Sequence, residues 1–174
     1  MPHHLTGITD ERGIRYATWT YDDQGRATSS SHAGGADLTT LEYNDTSTLV
    51  TDPTGAEREY HLEMQNGQLV VSHITGTPCQ DCWRGEAKDR QYDANGHLSQ
   101  TTDWNGNITT YIHNEKGQEI SRTEAFGTPE ARTIETEWHD EFNLPVKIIE
   151  PERETVITYD ESGRVLSRQI REKE

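Results

Sequence analysis

The stretch "QYDANGHLSQTTDWNGNITTY" (residues 91–111) contains two turn signals ten residues apart, Asn95-Gly96 and Asn105-Gly106. Glycine readily adopts positive φ, and Asn tolerates it, so Asn-Gly between strand-forming residues predicts a hairpin turn. Thr-rich residues lie between the two turns, and a tyrosine stands near each end. The stretch therefore predicts short antiparallel strands joined by tight turns.

Similar turn signals recur along the chain, in "DDQG" (22–25), "DPTG" (52–55), "QNG" (65–67), "EKG" (115–117), "FNLP" (142–145) and "ESG" (161–163). The segments between them are rich in Thr, Val, Ile and Tyr, which is typical of strands. Polar and apolar residues alternate only weakly, as expected for a single sheet wetted on both faces. No segment predicts an amphipathic helix, so we predict an all-β fold of antiparallel hairpins.

The composition excludes several classes of function. Leu, Ile, Val and Phe together number 28 of 174 residues, and the net charge is −15, which alone would indicate disorder. Eleven Trp and Tyr residues and 23 Thr residues indicate ordered strands over a thin apolar core instead. The acidic charge argues against binding to nucleic acid, and we expect no membrane insertion because no apolar run could span a bilayer. Residues 1–13 lack the basic and apolar regions of a signal peptide.

The sequence also repeats at an interval longer than one hairpin, because a Tyr-Asp pair recurs ahead of a glycine. The clear copies begin at Tyr21, Tyr92 and Tyr159, and Tyr43-Asn44 and His113-Asn114 are degenerate copies. Tyr21 and Tyr43 are 22 residues apart, and Tyr92 and His113 are 21 residues apart. This spacing predicts a repeating unit of two strands and two turns.

"YDDQGR" (21–26), "YDANGH" (92–97) and "YDESGR" (159–164) resemble the Tyr-Asp-x-x-Gly-Arg unit of the YD repeats of bacterial Rhs proteins, a family related to insecticidal toxin complex C subunits and teneurins. Segments 5–36 and 122–168 also look like interior parts of these proteins. His97, Gln118 and Leu144 depart from the Arg or Asn that the repeat prefers. The residues that define the repeat are Tyr21, Asp22, Gly25, Arg26, Tyr92, Asp93, Gly96, Gly106, Tyr159, Asp160, Gly163 and Arg164.

The resemblance implies a curved or spiralling β-sheet that closes into a shell around a toxin domain. The chain would be a structural wall segment of that shell with no catalysis of its own. The implied partners are other YD repeats, a second copy of the chain paired through strand edges, or the toxin cargo. The implied location is outside the cell, as part of a larger bacterial protein exported for bacterial competition, often by type VI secretion.

Two YD-repeat segments, 1–78 and 91–174, are expected on either side of a CxxC loop at 79–90. Cys79 and Cys82 are too few for a zinc ribbon, and no helix follows them as a thioredoxin-like site requires. We expect a local disulfide or a reduced pair, in a loop that includes the polar stretch "GEAKDR" (85–90).

The Tyr-Asp pair has a physical interpretation as a structural code. The Asp can accept hydrogen bonds from backbone N–H groups two or three residues on. The Tyr is expected to stack over the equivalent aromatic or apolar residue of the next repeat. Arg26 and Arg164 are expected to reach acidic residues on a neighbouring strand.

Other chemistries find less support in the sequence. No motif of a nucleophile, phosphate loop or metalloprotease is present, and consecutive residues of "WHDE" (138–141) face opposite sides of a strand. His97 and His113 are expected to be neighbours across the Asn105-Gly106 hairpin, but without a third ligand they predict no metal or cofactor. The alternative function is a glycan- or protein-binding module that uses exposed aromatics, for which Trp19, Trp83 and Trp104 are the candidates.

Overall fold

The computed structural model describes residues 4–78 and 87–173. Within those ranges the chain forms fifteen β-strands and one three-residue 3-10 segment, Ala33–Gly35. No helix found there has the length and apolar character needed to cross a membrane. The predicted all-β antiparallel fold is confirmed. Two compact units are present, Met1–Gly85 and Glu86–Glu174.

The first unit is an antiparallel meander in which each strand pairs with the next one along the chain. Its strands are β1 (Gly7–Thr9), β2 (Arg15–Tyr21), β3 (Ala27–His32), β4 (Thr39–Tyr43), β5 (Ser47–Thr51), β6 (Glu57–Gln65) and β7 (Gln68–Gly76).

The second unit is a meander of the same kind. Its strands are β8 (Ala87–Tyr92), β9 (Leu98–Asp103), β10 (Ile108–His113), β11 (Glu119–Glu124), β12 (Arg132–Trp138), β13 (Pro145–Ile149), β14 (Arg153–Tyr159) and β15 (Val165–Glu172).

The last four residues of the loop expected over 79–90 belong to a strand. Residues 87–90, which were expected in that loop, form the start of β8, and Arg90 pairs with Thr101 of β9. Pairing with the Thr-rich β9 supplies backbone partners that outweigh the weak strand preference of Ala, Lys and Asp. Cys79, Cys82 and Trp83 lie outside the described residues, so the expected cysteine pair stays a prediction.

Very little apolar surface is fully buried. In the described part of the chain the buried apolar residues are Ala17, Ile74 and Ile134, and only Ile74 is wholly enclosed. Most other strand residues are half-buried on both faces, as the weak alternation predicted. A sheet with so thin a core depends strongly on backbone pairing and on the turns that set its register.

Candidate functional site

The turn after β2 shows how a Tyr-Asp unit works. The Asp22 Oδ1 atom accepts hydrogen bonds from the backbone N–H groups of Gln24 and Arg26, both at 2.9 Å. Gly25 donates its N–H to the Asp22 carbonyl, and Asp22 donates its own N–H to the Arg26 carbonyl. Gly25 has φ of 82°, in the left-handed region that glycine favours. The side chain and backbone of Asp22 therefore take part in all four of these hydrogen bonds.

The same side-chain bonds, to the N–H groups two and four residues on, recur at six other turns. They begin at Asp10, Asp52, Asp93, Asp103, Asn114 and Asp160. Asn114 makes the bonds with an uncharged amide oxygen, so the geometry requires an acceptor and not a negative charge. The expected Asp turn cap is thus observed, although its second bond reaches one residue further than predicted.

The turns of each meander lie along two edges, one at each end of the strands, because successive hairpins point in opposite directions. The two edges carry different versions of this turn. Tyr21, Tyr92, His113 and Tyr159 precede the turn residue at one edge. At the opposite edge a threonine precedes it, in "TDERG" (9–13), "TDPTG" (51–55) and "TDWNG" (102–106). Sequence reasoning had missed this second series, which the shared Thr-Asp-x-x-Gly pattern could have shown.

A register shift directs the aromatic residue out of the regular ladder. Thr20 pairs with Ser29, but Tyr21 pairs with Ala27, so one extra residue lies in the partner strand. Equivalent shifts occur at Tyr92, His113, Trp138 and Tyr159. Such bulges bend a strand and re-aim a side chain.

Aromatic side chains at this edge, including Tyr43, which lies at no register shift, bond to the backbone of an earlier segment. The hydroxyl groups of Tyr21, Tyr43 and Tyr159 donate to the carbonyls of Leu5, Ala27 and Pro145, each at 2.8 Å. The Trp138 indole N–H donates to the Glu119 carbonyl at the same distance. Tyr43, Trp138 and Tyr159 thus link one repeat to the strand that follows the previous turn at the same edge, whereas Tyr21 bonds to Leu5, which precedes β1.

The Tyr43 ring contacts an arginine of the preceding turn. The Arg26 guanidinium lies 4.3 Å from the centre of the Tyr43 ring, a cation–π contact between successive turns. The expected reach of arginine to a neighbouring strand was wrong. Arg26 Nε donates to Asp22 Oδ2 of its own turn at 2.7 Å, because the Asx turn already places that oxygen beside it. Arg164 lies 3.7 Å from Asp160 in the same way.

Direct contacts also join the turns at 114–118 and 139–144. Gln118 donates from its side-chain amide to Asn143 at 2.9 Å, and Lys116 donates to the Asp140 carbonyl at 2.8 Å. An open groove of about 470 Å³ lies between these turns. At the second turn His139 replaces the usual Asp, and its Nδ1 accepts from the N–H groups of Glu141 and Phe142.

Backbone donors lower the pKa of several turn carboxylates. The largest effect at Asp22 is the N–H of Arg26, and at Asp93 it is the N–H of His97. Burial raises the pKa of Asp103, but the bonds from Asn107, Asn105 and Gly106 outweigh it and the pKa is lowered. These carboxylates are held in the charged form by the turns that they close.

The candidate ligand-binding aromatics occupy different surroundings. Trp19 is half-buried and lines an open groove of about 350 Å³ with Tyr21 and Asp22. Trp104 lies in a turn with Lys88 5.9 Å from its ring centre, so that ring is partly covered.

His97 and His113 are neighbours, with ring centres 5.2 Å apart, as the hairpin register predicted. Asp93 joins them, and one potential ligand atom from each of the three residues lies within 4.8 Å of the others. The third ligand that the sequence did not reveal comes from the turn itself, since Asp93 and His97 are its first and fifth residues.

The sequence model of the RHS Repeat family matches residues 92–129, which confirms the presence of YD repeats. A search of curated proteins found no match. The crystal structure of TcdB2-TccC3-Cdc42 is similar over 97% of this chain and 10% of its own, with a TM-score of 0.68 and 14% identity. At that identity the likeness supports the fold alone, and the present chain spans about a tenth of that protein.

A structure of the Photorhabdus luminescens Tc holotoxin pore, which carries a TccC3 mutation, is similar over 87% of this chain and 7% of its own. Its identity is 16% and its TM-score 0.46, which is too low to support an argument.

The turn carboxylates predict a defined loss of stability in acid. Because the folded pKa values of residues such as Asp22 and Asp103 lie below the unfolded value of about 3.9, their contribution is complete above that pH and disappears as the pH falls through the folded values. Urea unfolding from neutral pH down to about pH 3 should show this decline. Asp103→Asn should flatten the decline, and an equally steep acid limb would contradict the account.

Asp103→Ala should lower the free energy of unfolding at neutral pH by about 1–2 kcal/mol, since two backbone N–H groups lose their acceptor. Asp103→Asn is the matched control, because the amide oxygen of Asn114 closes an equivalent turn. Its loss should be the smaller of the two.

The aromatic hydroxyl should contribute through its bond to the preceding repeat. Tyr159→Phe removes the donor to the Pro145 carbonyl and should cost about 0.5–1.5 kcal/mol in urea unfolding. Tyr16→Phe is the control, because Tyr16 lies near the start of β2 with 58% of its surface exposed and contacts the His32 ring, not a carbonyl of a preceding repeat. Equal effects of the two substitutions would contradict a role specific to the turn.

Proposed function

We propose that this chain, which carries the RHS repeat, is a structural wall segment of a larger Rhs-type shell that encloses a toxin. The observation that carries the proposal is the bond from a turn aromatic to the backbone of the preceding repeat, seen at Tyr43, Trp138 and Tyr159. Such contacts join nearest neighbours along the chain, so a wall of any length can be built by adding units.

The chemistry of the turns also favours a structural role. The Asp and Asn side chains that would be candidates for catalysis are occupied in closing backbone turns, as at Asp22, Asp103 and Asn114. Their lowered pKa values, where present, have backbone donors among their causes and not an activated neighbour. A carboxylate that acts as a general acid or base near neutral pH needs a raised pKa, whereas the pKa values of Asp22 and Asp103 are lowered.

The apolar side chains that the described chain leaves exposed suit a segment that is covered by further wall or by cargo. Leu166 and Leu69 have 68% and 63% of their surface exposed, and Met64 has 62%. Export as part of a larger bacterial protein, by type VI secretion or another route, and a role in bacterial competition belong to the same proposal.

The terminal strand β15 gives a direct test. It pairs with β14 on one side, and Leu166 and Ile170 project from one face of it, with 68% and 55% of their surface exposed. An open strand edge with exposed apolar residues favours pairing with another chain. We expect the isolated chain to form dimers or larger species, above its mass of 19.8 kDa, as its concentration rises.

Size-exclusion chromatography with light scattering should show this association, and Leu166→Lys with Ile170→Lys should suppress it. Met64→Lys is the matched control, because it replaces an equally exposed apolar residue in the interior strand β6 with the same charge. A parent chain that stays monomeric at every concentration would count against the wall segment.

Recognition of a glycan or a protein is the alternative function, and the groove at Trp19 favours it. Trp19 and Tyr21 line that groove with two acidic residues, Asp22 and Asp23, which supply acceptors for sugar hydroxyl groups. Saturable quenching of Trp fluorescence by saccharides, lost in Trp19→Ala and retained in Trp104→Phe, would support binding there. An unchanged fluorescence signal across saccharides of different charge would remove the alternative.

A further inference from the structure

Three metal-binding side chains converge at the edge of the second unit, where the turn after β8 meets the end of β10. They are Asp93, His97 and His113, all half-buried, and one ligand atom from each lies within 4.8 Å of the other two. The Nδ1 atom of His97 is 3.5 Å from Oδ2 of Asp93. The two imidazole rings are tilted by 32° with their centres 5.2 Å apart.

The separation between His97 and Asp93 suits two ligands that share an ion. Zinc binds imidazole nitrogen and carboxylate oxygen at about 2.0–2.2 Å, so two ligand atoms at a tetrahedral ion lie about 3.4 Å apart. The 3.5 Å between His97 and Asp93 matches that value and is long for a hydrogen bond. His97 Nδ1 is in fact buried with no hydrogen-bond partner. A bound ion would give this nitrogen a direct partner, since the Asp93 oxygen 3.5 Å away is beyond good hydrogen-bond distance.

The turn fixes two of the three ligands before any ion arrives. Asp93 Oδ1 accepts the N–H groups of Asn95 and His97, both at 2.9 Å, which leaves Oδ2 directed toward the His97 ring. His113 is placed by the register between β9 and β10, in which Ile108 pairs with Thr102. Side chains held in this way lose little freedom on binding, which favours affinity.

We propose that Asp93, His97 and His113 form a binding site for Zn²⁺ or a chemically similar divalent transition metal ion. Two imidazoles and one carboxylate are a donor set for such ions, and all three side chains are half-buried. The ion ties the turn of one repeat to the aromatic position of the next. The site does not depend on the wall function, since it involves one pair of adjacent repeats.

A second histidine pair has a different geometry, which does not suit a shared ion. His61 and His73 stack face to face, with centres 4.0 Å apart and planes 3° apart. His61 Nε2 lies 3.1 Å from the Thr75 hydroxyl and already has a hydrogen-bond partner. Parallel stacked rings direct their nitrogens side by side and not toward a common point, so this pair serves as an internal control.

The chain itself supplies substitutions that remove each ligand and keep the turn. Asp93→Asn copies Asn114, which closes the same turn with an amide oxygen. His97→Arg copies Arg26 and Arg164, and His113→Tyr copies Tyr21 and Tyr159 at the equivalent positions. Each variant should therefore fold, and circular dichroism and urea unfolding will verify it.

The test is a titration of the full chain with Zn²⁺ by isothermal calorimetry, with Cys79→Ser and Cys82→Ser in every variant to remove the thiols. One saturable site is expected, and each of the three substitutions should weaken it by about tenfold or more. Titration with Co²⁺, followed by visible absorption, should show a spectrum lost in the same variants. His73→Gln should bind like the parent.

The absence of saturable Zn²⁺ binding in the parent would overturn the proposal. So would binding that persists in His97→Arg and His113→Tyr, or that is lost in His73→Gln. Failure of one variant to fold leaves the other two to decide. A negative result here would leave the association through β15 unaffected, so the two proposals fail separately.

Discussion

The structure depends above all on one short interaction, in which the side-chain oxygen of an Asp or Asn accepts two backbone N–H groups of its own turn. In a sheet that buries few apolar residues completely, strand register has no large core to define it. The turn defines it instead, because the bonds at Asp22, Asp103 and Asn114 fix where one strand ends and the next begins. Every inter-repeat contact in the described chain builds on that register.

The two edges use the same turn for different purposes. At one edge a bulge turns an aromatic side chain toward the preceding repeat, and its polar end bonds a carbonyl there, as Tyr159 does with Pro145. At the other edge Thr51 or Thr102 takes the position that the aromatic residue has at the first edge. The two edges of a repeat are therefore chemically different.

Much of this organisation could be predicted from sequence, since the Gly-containing turns and the 21-residue period rest on local chemistry. The antiparallel fold followed from the turns, and the proximity of His97 and His113 followed from the hairpin register. The role of the tyrosine hydroxyl could not be predicted, because the bulge that aims Tyr21 away from the ladder depends on pairing with β3. The strand at 87–90 was missed for a similar reason, since only its partner β9 makes it a strand.

The departures from the repeat pattern have a physical logic of their own. Arginine at the fifth turn position and an aromatic at the next repeat face each other, as Arg26 and Tyr43 do in their cation–π contact. In the turn that begins at Asp93, the two facing positions are His97 and His113. Together with Asp93 they form the proposed set of metal ligands in place of a cation–π contact. If only one of the two positions were histidine, so that His97 faced a tyrosine or His113 faced an arginine, neither the cation–π contact nor the three-ligand site would be complete. The chemistry therefore resides in the pair, because adjacent repeats meet at these two positions and the turn supplies the third ligand.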